Sequence, residues 1–314
     1  MSTNAKKAPD VEPVELAKRA RSRFSRPWAS ITAIVIALLW TTPTAGLLIS
    51  SFRPENEIKT TGWWTMFTGG NAQLTIANYN EVLYGASSSG QLAESFINSL
   101  IITVPSVLFP LALAALAAYA LSWVQFKGRD WVFIAIFALQ VVPLQMALIP
   151  LLSFFSEGAS VSGTQLLPAW GLEGEWEFVQ VWFAHTAFGL PLGIFLLHNF
   201  MSELPGSVIE SARVDGASHG AIFRRIVLPL ITPALASLAI FQFLWVWNDL
   251  LVALVFASDT PPLTAKLADM AGSRGNEWQR LTAGAFISIV IPIGVFLGLQ
   301  RYFVRGLLAG SVKG

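Results

Sequence analysis

Between residues 201 and 229 the chain reads Met201-Ser-Glu-Leu-Pro-Gly-Ser-Val-Ile-Glu210-Ser-Ala-Arg-Val-Asp-Gly216-Ala-Ser-His-Gly-Ala-Ile-Phe-Arg-Arg-Ile-Val-Leu-Pro229. The stretch is too rich in helix signals to be a plain connector. Ser207 and Glu210 have the S-x-x-E spacing of a capping box, which starts a helix. Gly216 stands where that helix would close in a left-handed residue. Ser218 suits the N-cap of a second helix, with Ile222, Ile226 and Val227 on its apolar side. Pro229 fits the first turn of whatever follows. The expectation is two short helices hinged at Gly216, lying at a surface.

On either side the chain turns apolar. Spans 178–200 and 229–256 flank the stretch, and four more lie at 28–50, 96–123, 131–153 and 282–300. The protein has 20 Lys/Arg and 19 Asp/Glu, yet these six spans contain one charge, Asp249. About 20 apolar residues suffice to cross a bilayer as a helix. Hydrophobic residues make up 54% of the 314, and mean hydropathy is +0.58. The fold class expected is all-α: a polytopic membrane protein with six transmembrane helices over 28–314, preceded by a basic tail, 1–27. The first span is too long for a signal-peptide core and reads as an uncleaved helix.

Positive charge orients the spans. The side holding both termini, loop 124–130 and loop 201–228 receives 15 Lys/Arg; the other side receives 5. The termini and loop 201–228 are therefore expected in the cytoplasm. The outer loops are long and aromatic, with Trp63, Trp64 and Phe67 in 51–95 and Trp170 and Trp176 in 154–177. These suit either an interfacial belt or a docking surface. Every span contains proline, which kinks membrane helices and frees carbonyls that must be satisfied inside the bundle.

Several chemistries are excluded. There is no cysteine, hence no disulfide, thiolate zinc site or thiol nucleophile. No G-x-x-x-x-G-K-[ST] occurs, so the chain has no P-loop of its own. His185, His198 and His219 lie in separate segments without metal-ligand spacing, and no catalytic residues are assigned. A net charge of +1 offers nothing to nucleic acid. In the fifth span, Gln242, Trp245, Asn248 and Asp249 fall within about a third of a helix circumference at 100° per residue. They form either a substrate path or a polar seam between helices. Loop 257–281 is long for a helix connection, where about 2–8 residues are usual, and suggests a functional loop.

The string E-x-A-x3-G-x9-I-x-L-P, from Glu210, Ala212, Gly216, Ile226, Leu228 and Pro229, resembles the EAA loop of ABC importer permeases. Ser211 replaces the commoner alanine, and Asp215 precedes the glycine. The tail Arg305-Gly-Leu-Leu-Ala-Gly310-Ser-Val-Lys313-Gly and Trp247-Asn248-Asp249 resemble carbohydrate-uptake permeases of the maltose type. Gly46–Arg53, Gly62–Trp64 and Trp182–Leu192 are similar to α-glucoside permeases. The resemblance implies the type I importer permease fold in a bacterial or archaeal inner membrane. It implies a second permease (a heterodimer) and two cytoplasmic ATPase subunits carrying ATP and magnesium, with no cofactor on this chain. It further implies an external solute-binding protein and an oligosaccharide cargo. The EAA loop would sit in a cleft of the ATPase, with Glu210 facing a basic group, Ala212 allowing close approach and Gly216 giving the bend. Arg305, Gly310 and Lys313 in tail 301–314 would meet the ATPase. In loop 257–281, Arg274, Asn276 and Trp278 would meet the binding protein. Alternatives are an ABC permease for a non-sugar solute and an ion-coupled secondary transporter.

Overall fold

The computed structural model describes residues 27–68, 73–85, 91–171, 173–272 and 277–311, in two compact units that divide between Thr75 and Ile76. The basic tail lies outside the described residues, as do Arg274, Asn276 and Lys313.

In the first unit, α1 (Pro27–Ser51) is one apolar helix running through Pro43. Two short helices follow, α2 (Glu55–Thr60) and α3 (Thr65–Thr68). They are gathered around Arg53, which is 2% exposed. Its guanidinium donates to the carbonyls of Glu57 and Thr61 and to the Thr61 hydroxyl. Trp63 lies so close to Gly46 that a Cβ there would meet its Nε1 at 2.6 Å.

The second unit begins with α4 (Ala77–Tyr84) and continues into α5 (Leu92–Trp123), which carries Pro105 and Pro110. The third apolar span is not a single helix. α6 (Arg129–Ala138) runs into a 3₁₀ turn, and α7 (Leu144–Glu157) leaves at 103°. The cause is Pro143, which has an extended ψ of 136° and supplies no N–H to continue the ladder. α8 (Glu177–Ser202) is the fourth span. Beyond it come α9 (Gly206–Val214) and α10 (His219–Ile222), a π-helical stretch Phe223–Val227, α11 (Leu228–Leu230) and α12 (Thr232–Trp247). α13 (Leu251–Phe256), α14 (Leu263–Gly272) and α15 (Trp278–Ser311) complete the unit. Among the described residues four helices are long and apolar enough to cross a membrane, and counting each of two bent pairs as one span raises the number to six.

α5 and α8 pack along most of their length, through small residues. A Cβ on Gly193 would lie 3.0 Å from that of Ala114. Ala114, Ala118 and Ala184 are fully buried. Membrane helices associate by close backbone approach rather than by hydrophobic driving force, which favours such residues. α5 also carries a buried polar stripe, Ser95, Asn98, Ser99, Thr103 and Ser106, at helical spacing.

The outer loops hold structure that sequence patterning missed. Within 154–177 a hairpin pairs β1 (Ala159–Val161) with β2 (Thr164–Leu167). Ser162 (φ +50°) and Gly163 (φ +83°) form its two-residue turn, with the left-handed pair that a type I′ connection requires. Loop 257–281 is not a long flexible connection over its described part. α14 occupies much of it, and Leu263, Ala265 and Met270 are buried.

Candidate functional site

The 201–229 segment folds as a surface-lying unit with two corrections. The capping box does not form. Pro205 (φ −59°) is the N-cap of α9, two residues ahead of Ser207, so Ser207 is inside the helix, where its carbonyl accepts from the Ser211 hydroxyl at 2.7 Å. Nor does Pro229 open the next span. It ends the segment begun at His219, and after a 73° bend Pro233 occupies the first turn of α12. A proline at 229 has no N–H for the carbonyl four residues back and crowds it. The π register just upstream is one of the known ways a helix accommodates such a disruption.

The hinge is as expected. Gly216 has φ +80°. Its N–H donates to the Arg213 carbonyl at 3.0 Å, and the Ala217 N–H donates to the Ala212 carbonyl at 2.9 Å. That pair of bonds is the Schellman closure of α9. Ser218 then caps α10 by accepting from the Ala221 N–H at 3.4 Å. Ile209, Ile222 and Val227 are buried in a core shared with the ends of α5 and α8, and Ala212 and Ile226 pack against it. Ala212 thus serves close approach to the protein's own core. Glu210, Ser211, Asp215 and Pro229 face outward, Leu228 is half-buried, and Val214 is 88% exposed.

Two unforeseen groups dock this unit on α5. Arg213 donates to the carbonyl of Trp123 at 2.7 Å, taking up one of the carbonyls left open at the helix end. The Tyr119 hydroxyl and His219 Nδ1 are 3.0 Å apart, and the Tyr119 ring packs edge-on against Phe223. Arg213 lies within the signature, between Ala212 and Gly216, at a position whose identity the pattern leaves open.

The stripe 242–249 divides. α12 ends at Trp247, so the helical angle cannot be carried on to Asn248 and Asp249. Asn248 donates back to the Leu244 carbonyl at 2.7 Å. The Asp249 carboxylate accepts from the N–H groups of Val252 (2.9 Å) and Ala253 (3.3 Å), capping α13. It lies 3.9 Å from Nε2 of His185, which is 1% exposed. Trp247 is core, donating to the Ser288 carbonyl. Gln242 and Trp245, by contrast, line a cavity of about 410 Å³ between the broken third span, α8 and α12. Gln140 and Phe188 join them, and no ionisable side chain is among the described residues of its wall. Gln242 Nε2 is anchored on the Ser106 carbonyl at 3.2 Å.

A Cβ at Gly189 would come within 2.7 Å of the Gln242 amide. Gly189→Ala is therefore expected to swing Gln242 off Ser106 without disturbing backbone. Abundance in the membrane should be unchanged and the thermal midpoint in detergent slightly lowered by the loss of that one hydrogen bond, worth about 0.5–1.5 kcal/mol.

At the other end of the unit, Glu177 is a residue that patterning overlooked. Its carboxylate accepts from the Ser258 hydroxyl (3.0 Å), the Asp259 N–H (2.9 Å), and the N–H and hydroxyl of Thr260 (both 3.3 Å). Ser99 Oγ accepts the Leu263 N–H at 2.8 Å, and Thr264 donates to the Asp249 carbonyl at 2.6 Å. Loop 257–281 is thus pinned at its start. Trp278 is half-exposed, and Arg305 and Gly310 lie on the backbone of α15.

The described residues thus build a helical bundle of membrane type with a capped, surface-lying unit ahead of α12. The chain belongs to the family described as binding-protein-dependent transport system inner membrane component, whose model matches residues 19–308. It is 51% identical over 288 residues to the osmoprotective compounds uptake permease protein GgtD of Synechocystis, covering 90% of this chain and 91% of that one. It is 40% identical over 382 residues to the alpha-glucoside transport system permease protein AglG of Rhizobium meliloti, covering 91% and 97%. Its fold matches a chain of a bacterial ABC transporter that imports the polysaccharide alginate, with TM-score 0.63 and 20% identity over 94% and 100% of the two chains. The protein is a transport component of the inner membrane.

Proposed function

We propose that this chain is one of two membrane subunits of an ABC importer for a neutral oligosaccharide or α-glucoside, working by alternating access. The observation that carries the reading is the cavity beside α12: two amides, two aromatic rings and no charge. Amides take hydroxyls and aromatic faces take pyranose faces, whereas a phosphate or polyamine would need opposite charge in the wall. The relative named for alpha-glucoside transport supports the cargo class. The termini and the 201–229 unit face the cytoplasm in this reading. Glu210, Ser211, Val214 and Asp215 then present to an ATPase subunit, which holds ATP and magnesium. The second permease is a different chain. Arg305, Gly310 and Lys313 lie at the ATPase contact, and Arg274, Asn276 and Trp278 at the binding protein. ATP shifts the population between inward- and outward-open states only because it binds one of them better.

A second cargo is favoured by one observation: the relative at 51% identity is named for osmoprotective compounds. Uptake of radiolabelled maltose and trehalose, with and without salt stress, separates the two. Maltose uptake independent of salt supports the α-glucoside. Uptake seen only under salt stress supports the osmoprotectant. In either case vanadate should block transport and ionophores should not; the reverse would indicate ion coupling.

A further inference from the structure

A second cavity, of about 290 Å³, lies at the end of the bundle that carries the 201–229 unit, between the end of α5, the start of α6 and the end of α8. Ser122, Arg129, Asp130, His198 and Ser202 supply its polar wall, and Leu121, Phe133 and Ile134 its apolar one. Ser122 Oγ and His198 Nδ1 are buried, and Ser122 Oγ has no hydrogen-bond partner among the described residues. A buried polar group left unsatisfied is costly, so the site calls for a partner. The Arg129 Nε is 3.4 Å from Asp130 Oδ1, but the Asp130 side chain is 85% exposed. An exposed pair of that kind holds an arginine only weakly, and the rest of the guanidinium fork remains available to the cavity.

The chemistry the pocket asks for is compact, anionic and oxygen-rich, with an apolar continuation. Arginine's fork matches phosphate oxygens, and hydroxyls and an imidazole add donors. The Phe133 ring lies tilted against the His198 ring with centroids 4.2 Å apart, and the exposed Ile134 and Trp131 lead from the pocket along the apolar outer face of α6. A free phosphate would have no use for that apolar wall, whereas a phospholipid places its chains along it. Lys127, on the same short loop, adds positive charge nearby.

We propose that this pocket binds the headgroup of an anionic phospholipid, with the acyl chains lying along α6. The assignment to the cytoplasmic leaflet rests on the orientation proposed above; the pocket's chemistry does not. The test uses the complete transporter, purified in mild detergent and examined by native mass spectrometry for retained lipid. It is then reconstituted in nanodiscs of phosphatidylcholine alone or of an equimolar mixture with phosphatidylglycerol. Retention of phosphatidylglycerol over phosphatidylcholine is expected. Arg129→Gln should lower it about fivefold, the worth of one cation near the surface. Ser202→Leu, which fills the pocket from the opposite wall, should do the same, and Lys127→Gln, outside the pocket, should lower it less than either. Equal retention of the two lipids, or unchanged retention in both Arg129→Gln and Ser202→Leu, overturns the proposal. So does thermal stabilisation by inorganic phosphate alone equal to that by phosphatidylglycerol. None of these readouts depends on cargo, so a failure here is distinguishable from a failure of the transport assignment, which uptake measures.

Discussion

Gly216→Pro, combined with Glu210→Ala, is expected to reduce uptake to background while the protein stays in the membrane at near-normal abundance. The argument is conformational. Gly216 sits at φ +80°, and proline is held near −65°. Proline would also delete the N–H that donates to Arg213. With the closure of α9 lost, the face bearing Glu210, Ser211 and Val214 can no longer hold its angle to α10. Space is not the issue, since nothing lies within 4 Å of a Cβ built at this position. A graded series follows. Gly216→Ala retains the N–H but pays about 1–2 kcal/mol for a left-handed alanine. Gly216→Asn tolerates that region and should recover most of the uptake. The core beneath, Ile209, Ile222 and Val227, is untouched by all three, so abundance on immunoblots should hold. Wild-type uptake by a well-expressed double mutant would remove the coupling assignment.

The largest stability effect is expected from Glu177→Ala. Four donors converge on this carboxylate from residues 258–260, and Thr260 is buried. Truncation leaves buried N–H groups without an acceptor, at a cost of about 3–5 kcal/mol, because bonds to a charged acceptor are stronger than neutral ones. Glu177→Gln keeps the shape but turns an NH₂ toward backbone N–H groups, and should fall between. The expected readouts are a lower thermal midpoint in detergent and cleavage within 257–262 by protease added outside spheroplasts. An alanine variant with a wild-type midpoint and full protection would show that loop 257–281 is held by other contacts, such as Leu263 N–H to Ser99.

The membrane class and the hinge were legible in the residues, and for related reasons. Exclusion of charge from hydrocarbon acts on every residue of a span separately, so a near-absence of Lys, Arg, Asp and Glu over six stretches is decisive without any partner. A left-handed glycine closing a helix is equally local, since its reason lies in its own φ and in bonds to residues three to five positions back. Ser218 belongs to the same class. Where local reasoning failed within this stretch, a nearer competitor won. Pro205 set the start of α9 ahead of Ser207, and Pro233 rather than Pro229 opened α12.

The sequence by itself determined which stretches leave water, which side carries positive charge, and where a left-handed residue must end the helix after Glu210. Only the tertiary structure decided that the third span breaks at Pro143 with a cavity in the angle, and that α12 stops at Trp247 so that Asp249 caps α13. It alone seated Glu177 under residues 81 to 83 positions further on, and Arg213 on a carbonyl 90 positions back. The physical reason is range. Burial and backbone conformation are set by each residue and its neighbours, whereas a buried polar group is satisfied by whichever distant donor or acceptor the packing brings within about 3 Å, and spacing along the chain carries no record of that choice.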